Sequence, residues 1–163
     1  MARSVNAAHG TPATLALTRA GIAFTAHGYT HDPAVSNFGT EAAEALGVEA
    51  DRVFKTLVVN ADGALVVGVV PVSGQLDLKA LAAAIGVKRT QLADPHVAAR
   101  KTGYVVGGIS PIGQKTTLTT VLDESAQLFD TVYVSGGRRG FDIELSPDDL
   151  LAITEGRYAA IAR

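Results

Sequence analysis

Two runs rich in β-branched residues, separated by a short turn, give the clearest pattern along the chain. Residues 53–60 (VFKTLVVN) and 64–72 (ALVVGVVPV) flank Ala61-Asp62-Gly63. Asp-Gly between two such runs is typical of a tight β-hairpin. The pattern therefore predicts an antiparallel pair of strands here. Shorter runs of the same kind predict further strands at residues 22–29, 117–122, 131–135, 141–145 and 158–162.

Helices are predicted where a capping residue opens a segment and glycine closes it. Thr11 and Pro12 open the first helix, and Gly21 closes it. Threonine satisfies free N–H groups, proline suits the first turn, and glycine tolerates the backbone conformation of a helix end. The same signals predict helices over residues 40–46, 77–85, 95–102 and 147–155.

The order of these elements indicates the fold class. Strands and helices do not alternate strictly, which disfavours a doubly wound parallel sheet. We therefore expect an α+β fold, with a mixed, largely antiparallel sheet curled into a barrel and helices packed outside. A length of 163 residues suits one domain. Residues 1–10 lack periodicity and are predicted to be a flexible tail before a single domain over residues 11–163.

Composition narrows the environment. Hydrophobic residues make up 47% and charged residues 18%, which predicts a folded core rather than disorder. The absence of cysteine excludes disulfides and a cysteine nucleophile. No run of about 20 apolar residues is present, so we expect no membrane contact, and the lack of a signal-peptide pattern favours the cytoplasm.

Charge is unevenly distributed. The net charge of −2 argues against indiscriminate binding of nucleic acid, and we expect no DNA partner. Residues 86–140 nevertheless hold seven basic and four acidic residues, a net charge of +3, whereas residues 141–163 carry −3. Either a basic face or scattered solvated charges would account for this distribution.

The common signatures of catalysis are missing. The histidines at positions 9, 27, 31 and 96 lack metal-ligand spacing, so structural or solvent-exposed roles are expected, with no metal or cofactor. The sequence also lacks a Gly-x-Ser-x-Gly elbow and a P-loop.

Three unusual features remain. Lys55 interrupts an apolar strand, either as a solvated strand-end residue or as a fixed cation at a pocket mouth. Gly107 and Gly108 open the GGISPIG run, either a plain turn or a backbone that offers N–H donors to a ligand. The segment from Ser135 to Asp142 is either a glycine-rich hairpin with solvated arginines or a basic lip beside a site.

Seven stretches together resemble the YbaK/EbsC family, which is related to the editing domain of bacterial prolyl-tRNA synthetase. Each is weak alone, but their number, order and spacing over residues 11–163 carry the resemblance. They are Thr11-Pro12-Ala13, His31-Asp32-Pro33, Asn37-Phe38-Gly39, Phe54-Lys55-Thr56-Leu57, Gly74-Gln75-Leu76-Asp77-Leu78-Lys79, the TGYVVGGISP run at 102–111 and Tyr133-Val134-Ser135-Gly136-Gly137. Phe54 replaces the tyrosine associated with the family.

The resemblance implies a barrel with surrounding helices and trans-editing hydrolysis of mischarged Cys-tRNA(Pro), with Cys-tRNA(Cys) as another substrate. It places a catalytic group on Lys55 and on the loop residues Gly107, Gly108, Ile109, Ser110 and Pro111. It places substrate contacts on Tyr29, Phe38, Ser135 and Asp142. From charge, we add Arg138, Arg139, Lys88 and Arg89 as tRNA contacts.

The missing nucleophile fits this family, in which the thiol of the substrate cysteine attacks its own ester. Aminoacyl-tRNA is then the expected partner, and prolyl-tRNA synthetase is a candidate second partner. Two alternatives stay open: a deacylase of another mischarged tRNA such as Ala-tRNA(Pro), and a non-catalytic module that binds tRNA or a nucleotide.

Overall fold

The computed structural model describes residues 10–163 of the chain. The predicted flexible tail, apart from Gly10, lies outside the described residues. Within the described part, no helix has the length and apolar character needed to cross a bilayer.

Capping chemistry predicts most of the helix ends to within one residue; the exception is the start of the second helix, at Phe38 rather than residue 40. The Thr11 side chain accepts a backbone N–H of the first turn, and Gly21 ends that helix with a φ of 71°. Asp77, Asp94 and Ser146 cap later helices in the same way. The α-helices are α1 (Pro12–Ala20), α2 (Phe38–Leu46), α3 (Leu78–Ile85), α4 (Pro95–Thr102) and α5 (Pro147–Thr154), and short 3₁₀ helices lie at Ala50–Arg52 and Glu124–Leu128.

The strands of the described residues form two separate sheets. They are β1 (Thr25–Gly28), β2 (Phe54–Ala61), β3 (Ala64–Pro71), β4 (Thr90–Leu92), β5 (Thr119–Asp123), β6 (Val132–Arg138), β7 (Phe141–Leu145) and β8 (Arg157–Ala159). The larger sheet has the order β4-β2-β3-β5-β8, with parallel β3–β5 and β5–β8 pairs. The smaller sheet, β1-β7-β6, is antiparallel. The hairpin β2–β3 confirms the strongest sequence pattern.

The α+β class is confirmed, but the predicted barrel is wrong. A barrel needs continuous hydrogen bonding around all its strands. Between β2 and β6, the described residues form one isolated bridge, from Val53 to Tyr133. Beyond that bridge, the pairing of β6 with β7 is interrupted by a bulge between Ser135 and Arg138. The two sheets therefore stay open and separate from each other at this edge.

The core determines which faces remain available for a site. The main hydrophobic cluster lies between the two sheets, and it includes Leu17, Phe54 and Phe141. A second cluster lies on the far side of the larger sheet, where α3 contributes Leu81. On the outer face of the smaller sheet, α2 packs against Tyr133. That outer face is polar elsewhere, because its pleat brings the charged side chains of β7 to this side.

Candidate active site

A cavity occupies the space where the two sheets diverge. It has a volume of about 610 Å³ and lies next to the bridge between Val53 and Tyr133. Its walls are residues 53–58 of β2, the start of α2, the turn between β4 and α4, and the loop after α4. The separation that prevents barrel closure is therefore also what creates the pocket.

Many of the residues nominated from the sequence line this one cavity. They come from separate segments of the chain, and they are Tyr29, Phe38, Lys55, Gly107, Ile109, Ser135 and Asp142. Gly108, Ser110 and Pro111 do not line it. The fold thus brings together residues that are more than 100 positions apart in the sequence.

Asp142 is the most unusual group in the cavity wall. It lies opposite His27 on β1 and opposite Ser135 on β6, so these three side chains share the outer face of the smaller sheet. Only 5% of Asp142 is exposed. Burial raises the pKa of its carboxyl group to about 7. No ion pair reaches this carboxylate within residues 10–163, so its charge is uncompensated there.

Lys55 supplies a charge of the opposite sign. It lies near the start of β2, opposite Val70, and its side chain is partly buried in the cavity wall. Burial lowers the pKa of its ammonium group. Among the described residues it forms no ion pair with a carboxylate. Both charged groups of the cavity therefore lack a protein counter-charge.

Tyr29 and Phe38 provide the aromatic part of the wall. Burial, followed by the negative charges of Asp142 and Glu41, raises the pKa of Tyr29 to about 12, so its hydroxyl stays protonated and can donate. Helix α2 begins at Phe38 because the Asn37 side chain accepts the N–H of the third helical residue. This start is two residues earlier than the sequence predicted.

The glycines of the loop after α4 allow close packing. Gly107 has a φ of 87°, and a Cβ there would lie 2.8 Å from the Phe38 ring. A Cβ on Gly108 would lie 2.7 Å from the Cα of Arg138. The N–H of Gly108 donates to the carbonyl of Val105 at 2.8 Å. Gly108 therefore brings the loop against β6, and its N–H is already used within the loop.

The rest of this loop is held by internal hydrogen bonds. The Tyr104 hydroxyl donates to the carbonyl of Ile112 at 2.6 Å. Ser110 is fully buried, and its Oγ accepts the N–H of Ile112 at 3.2 Å. The side-chain amide of Gln114 donates to the carbonyl of Ser110 at 3.0 Å. Ser110 thus fixes the loop from behind, Pro111 is buried beside it, and Gly107 and Ile109 line the cavity.

The basic residues nominated as tRNA contacts lie in two different places. Arg139 lies at the cavity rim, where its Nε donates to the carbonyl of Val106 at 2.9 Å and its guanidinium lies 4.9 Å from the centre of the Phe38 ring. Arg138 lies 4.7 Å from the ring of Phe141.

Lys88 and Arg89 are exposed near the turn of the β2–β3 hairpin. The N–H of Lys88 donates to the Asp62 carboxylate in that turn at 3.2 Å. Lys55 lies six positions before Ala61, the last residue of β2, which corresponds to about 20 Å along the strand. These two cations therefore lie far from Lys55, at the opposite end of the strand.

Sequence reasoning assigned no role to Thr56, although the structure places it in the cavity wall. Its Oγ1 is buried without a hydrogen-bond partner, and it is the one side-chain oxygen or nitrogen of this kind in residues 10–163. Buried polar atoms normally have partners, so this hydroxyl is an exception, and it lies on the face of β2 that Phe54 and Val58 share rather than on the face of Lys55. The signal in the sequence was a second polar residue directly after Lys55.

The histidines are used in side-chain pairs outside the cavity. His27 Nε2 lies 2.8 Å from Glu144 Oε1, and His31 Nδ1 lies 2.7 Å from Glu41 Oε1. His96 is exposed, and His9 lies outside the described residues. Over residues 10–163, no three or more His, Asp or Glu side chains are grouped so that they could hold a metal ion.

The sequence of this chain is similar to those of known proteins. Residues 32–153 match the model of the aminoacyl-tRNA editing domain. The "Putative Cys-tRNA(Pro)/Cys-tRNA(Cys) deacylase EbsC" of Enterococcus faecalis (strain ATCC 700802 / V583) is 46% identical over 121 residues, which are 73% of each chain. The uncharacterised protein YwhH of Bacillus subtilis (strain 168) is 32% identical over 111 residues, 68% of this chain and 70% of that one.

A solved structure also has this fold. The crystal structure of a "putative trans-editing enzyme for prolyl tRNA synthetase" superposes with a TM-score of 0.81 at 25% identity. The match covers 98% of this chain and 99% of the other. The similarity in fold therefore extends over both sheets.

Proposed function

The chain belongs to the aminoacyl-tRNA editing domain family, and on this premise we propose that it hydrolyses the ester of mischarged Cys-tRNA(Pro), and also that of Cys-tRNA(Cys). The relative at 46% identity carries both substrates in its name. In this proposal the protein is a cytoplasmic enzyme that acts in trans, without a cofactor, on aminoacyl-tRNA released by prolyl-tRNA synthetase.

The observation that carries this proposal is the pair of uncompensated charges in one cavity. Asp142 is a buried carboxylate and Lys55 a partly buried ammonium, and neither has a counter-charge from the described residues. The 3′ end of aminoacyl-tRNA carries an α-ammonium group and phosphates within a few bonds of the ester. We assign the ammonium to Asp142 and the terminal phosphate or ribose to Lys55, because buried charges need partners.

The remaining cavity residues orient the ester. Tyr29 and Ser135 offer hydroxyl groups, and Phe38 offers an aromatic face. Gly107 and Ile109 offer backbone beside the carbonyl. Donors aimed at a developing oxyanion lower the barrier of ester cleavage. Gly108, Ser110 and Pro111 act in this scheme by holding the loop in place.

The nucleophile in this scheme is the thiol of the substrate. Its sulfur attacks the ester carbonyl carbon, a C–S bond forms, and the bond to the ribose oxygen breaks. The thiol proton passes to that oxygen, so the products are tRNA and a four-membered cyclic thioester, which water then opens to cysteine. A thiol of pKa about 8.5 is a few per cent thiolate at neutral pH. Alanine and proline esters have no such group.

Deacylation of a series of mischarged tRNAs tests the proposal. With tRNA(Pro) carrying Cys, Ser, Ala or Pro, we expect rapid loss of Cys and at least a roughly 100-fold slower loss of Ser, because a hydroxyl is far less ionised than a thiol at pH 7. Equal rates for Cys and Ser would rule out attack by the substrate thiol. Preferred hydrolysis of Ala-tRNA(Pro) would show that the substrate is Ala-tRNA(Pro) rather than Cys-tRNA(Pro). Binding without hydrolysis would indicate a non-catalytic module.

The role of prolyl-tRNA synthetase is tested separately. If the synthetase is a partner, adding it to the assay at a fixed concentration of free Cys-tRNA(Pro) should raise kcat/KM. An unchanged value would mean that the enzyme captures its substrate from solution.

A further inference from the structure

The segment formed by α4 and the loop after it, which supplies part of the cavity wall, is basic. Residues 95–122 contain Arg100, Lys101 and Lys115 but no Asp or Glu. These three side chains are exposed, and none forms an ion pair within the described part of the chain. Arg100 and Lys101 complement the dipole at the end of α4, which still leaves their charged ends in solvent. Lys115 has no such role, so helix capping does not account for the set.

Backbone hydrogen bonds hold these residues together beside the cavity. The N–H of Lys115 donates to the carbonyl of Thr102 at 2.8 Å, and that of Thr116 donates to the carbonyl of Lys101 at 3.1 Å. On the same helix, Ala98 lines the cavity. Ala98 and Lys101 are separated by about 5 Å along the helix axis. Lys101, three positions after Ala98, is on the same side of α4, and Lys115 is held against the end of that helix. Arg100 extends this basic face, which comprises Arg100, Lys101 and Lys115, away from the cavity.

Exposed apolar side chains lie next to the basic face. Val105 and Val106 lie three and four positions after the end of α4 and are 57% and 42% exposed, and Leu92 is 58% exposed. Val106 and Leu92 also line the cavity. A single strand needs cations for its phosphates, and its unpaired bases expose apolar faces, so a basic face beside exposed apolar side chains suits such a strand.

We propose that the basic face of Arg100, Lys101 and Lys115 binds the phosphates of the tRNA acceptor end and guides its unpaired 3′ terminus past Val105 into the cavity. This inference rests on the proposed deacylase function. It assigns the main phosphate contacts to α4 and the segment after it. Lys88 and Arg89, at the other end of β2, become the competing assignment.

The test compares variants on a long and a short substrate. The variant Arg100→Gln/Lys101→Gln/Lys115→Gln removes the basic face, and Gln keeps the helix propensity of α4. The control Arg19→Gln/Lys79→Gln/Arg163→Gln removes the same charge from exposed positions elsewhere, including the last turn of α1. Each is assayed on Cys-tRNA(Pro) and on 3′-O-cysteinyl-AMP, which reaches the cavity but not the basic face.

We expect the basic-face variant to lose roughly tenfold or more in kcat/KM for Cys-tRNA(Pro), mainly through KM. The slope of log(kcat/KM) against log[salt] for this variant should become shallower by about 2 for the three cations, at roughly 0.7–0.9 per lost phosphate contact. Its activity on the short ester should stay within about twofold of the unmodified protein. The control should resemble the unmodified protein on both substrates.

Three results would overturn the inference. One is an equal loss in the basic-face variant and in the control, which would mean that only net charge matters. Another is a loss confined to a Lys88→Gln/Arg89→Gln variant, which would move the footprint to the hairpin end. The third is an equal loss on the short ester, which would show damage to the cavity. If the unmodified protein hydrolyses neither substrate, the result contradicts the proposed function itself.

Discussion

The outer face of the smaller sheet carries a partly buried carboxylate at one end and a buried one at the other, and their environments shift the two pKa values in opposite directions. Asp142 and Glu144 are two residues apart on β7, so their side chains project from the same face. At one end, burial would raise the pKa of Glu144, but hydrogen bonds from Thr131 and His27 hold it below its usual value. Arg52 donates to Thr131 and lies 3.6 Å from the same carboxylate.

At the other end, burial of Asp142 is not offset by any such bond. Its pKa is raised by burial alone. Polar groups that satisfy one another rigidify a structure, whereas an unsatisfied buried charge costs stability that a ligand can restore. The Glu144 end therefore stabilises the fold, and the uncompensated Asp142 end supports the proposal that this carboxylate binds the substrate.

The largest expected effect is on stability. The folded pKa of Asp142 is about 7, and the unfolded value is about 3.9. Between these values the folded protein holds a proton that the unfolded chain has lost, so this group's contribution to stability falls as pH rises from about 4 to about 7. Asp142→Asn should therefore increase the free energy of unfolding at pH 8 by as much as about 4 kcal/mol, and by little at pH 4.

Urea denaturation at the two pH values measures this effect. Glu144→Gln is the matched control, because it makes the same chemical change two residues away and should destabilise the protein at pH 8. A loss of stability in Asp142→Asn at pH 8 would show that the carboxylate has a compensating partner.

The same variant should lose activity. A hydrogen bond to a charged group contributes about 1.5–3 kcal/mol, so Asp142→Asn should lower kcat/KM for Cys-tRNA(Pro) about 10- to 100-fold at pH 7.5. The 3-mercaptopropionyl ester of the same tRNA keeps the thiol but lacks the α-amino group, so its hydrolysis should respond much less to the substitution. Equal losses of kcat/KM on the two substrates would mean that Asp142 does not bind the ammonium group.

Lys55→Ala should have a somewhat smaller effect. If Lys55 holds the terminal phosphate or ribose, its removal should lower deacylation at least tenfold, about 1.4 kcal/mol of transition-state stabilisation, without lowering Tm. Lys55→Arg should also be impaired, because a planar fork does not replace a compact ammonium. Lys79→Ala, an exposed lysine on α3, should change neither quantity. Lost stability with retained activity would make Lys55 a structural residue.

The smallest expected effect lies at the satisfied end of the sheet. Glu144→Gln removes the charge that His27 and Thr131 contact, so we expect a loss of about 1 kcal/mol in stability at neutral pH. Because the folded pKa of Glu144 is lowered, that loss should shrink as pH falls below about 4.3, where the unfolded group takes up a proton. Activity should stay within about twofold. A larger loss of activity would mean that the two ends are coupled.

Much of the local structure was predictable from the sequence. Local rules place the helix caps at Thr11 and Asp77 and the hairpin turn at Asp62, because these depend on residues a few positions apart. They missed the short strand β4, which has three residues and exists only through its pairing with β2. They also predicted a closed barrel, because residue pattern does not report where strands stop pairing.

The sequence by itself determined the residues available for chemistry: one lysine in an apolar strand, an aspartate after a glycine-rich hairpin, and no cysteine. Tertiary structure alone decided which of them share a cavity, which hydrogen bonds they lack, and that Thr56 belongs with them. Burial and counter-charge are sums over neighbours from distant segments. For that reason Asp142 and Glu144, almost adjacent in the chain, have pKa values shifted in opposite directions.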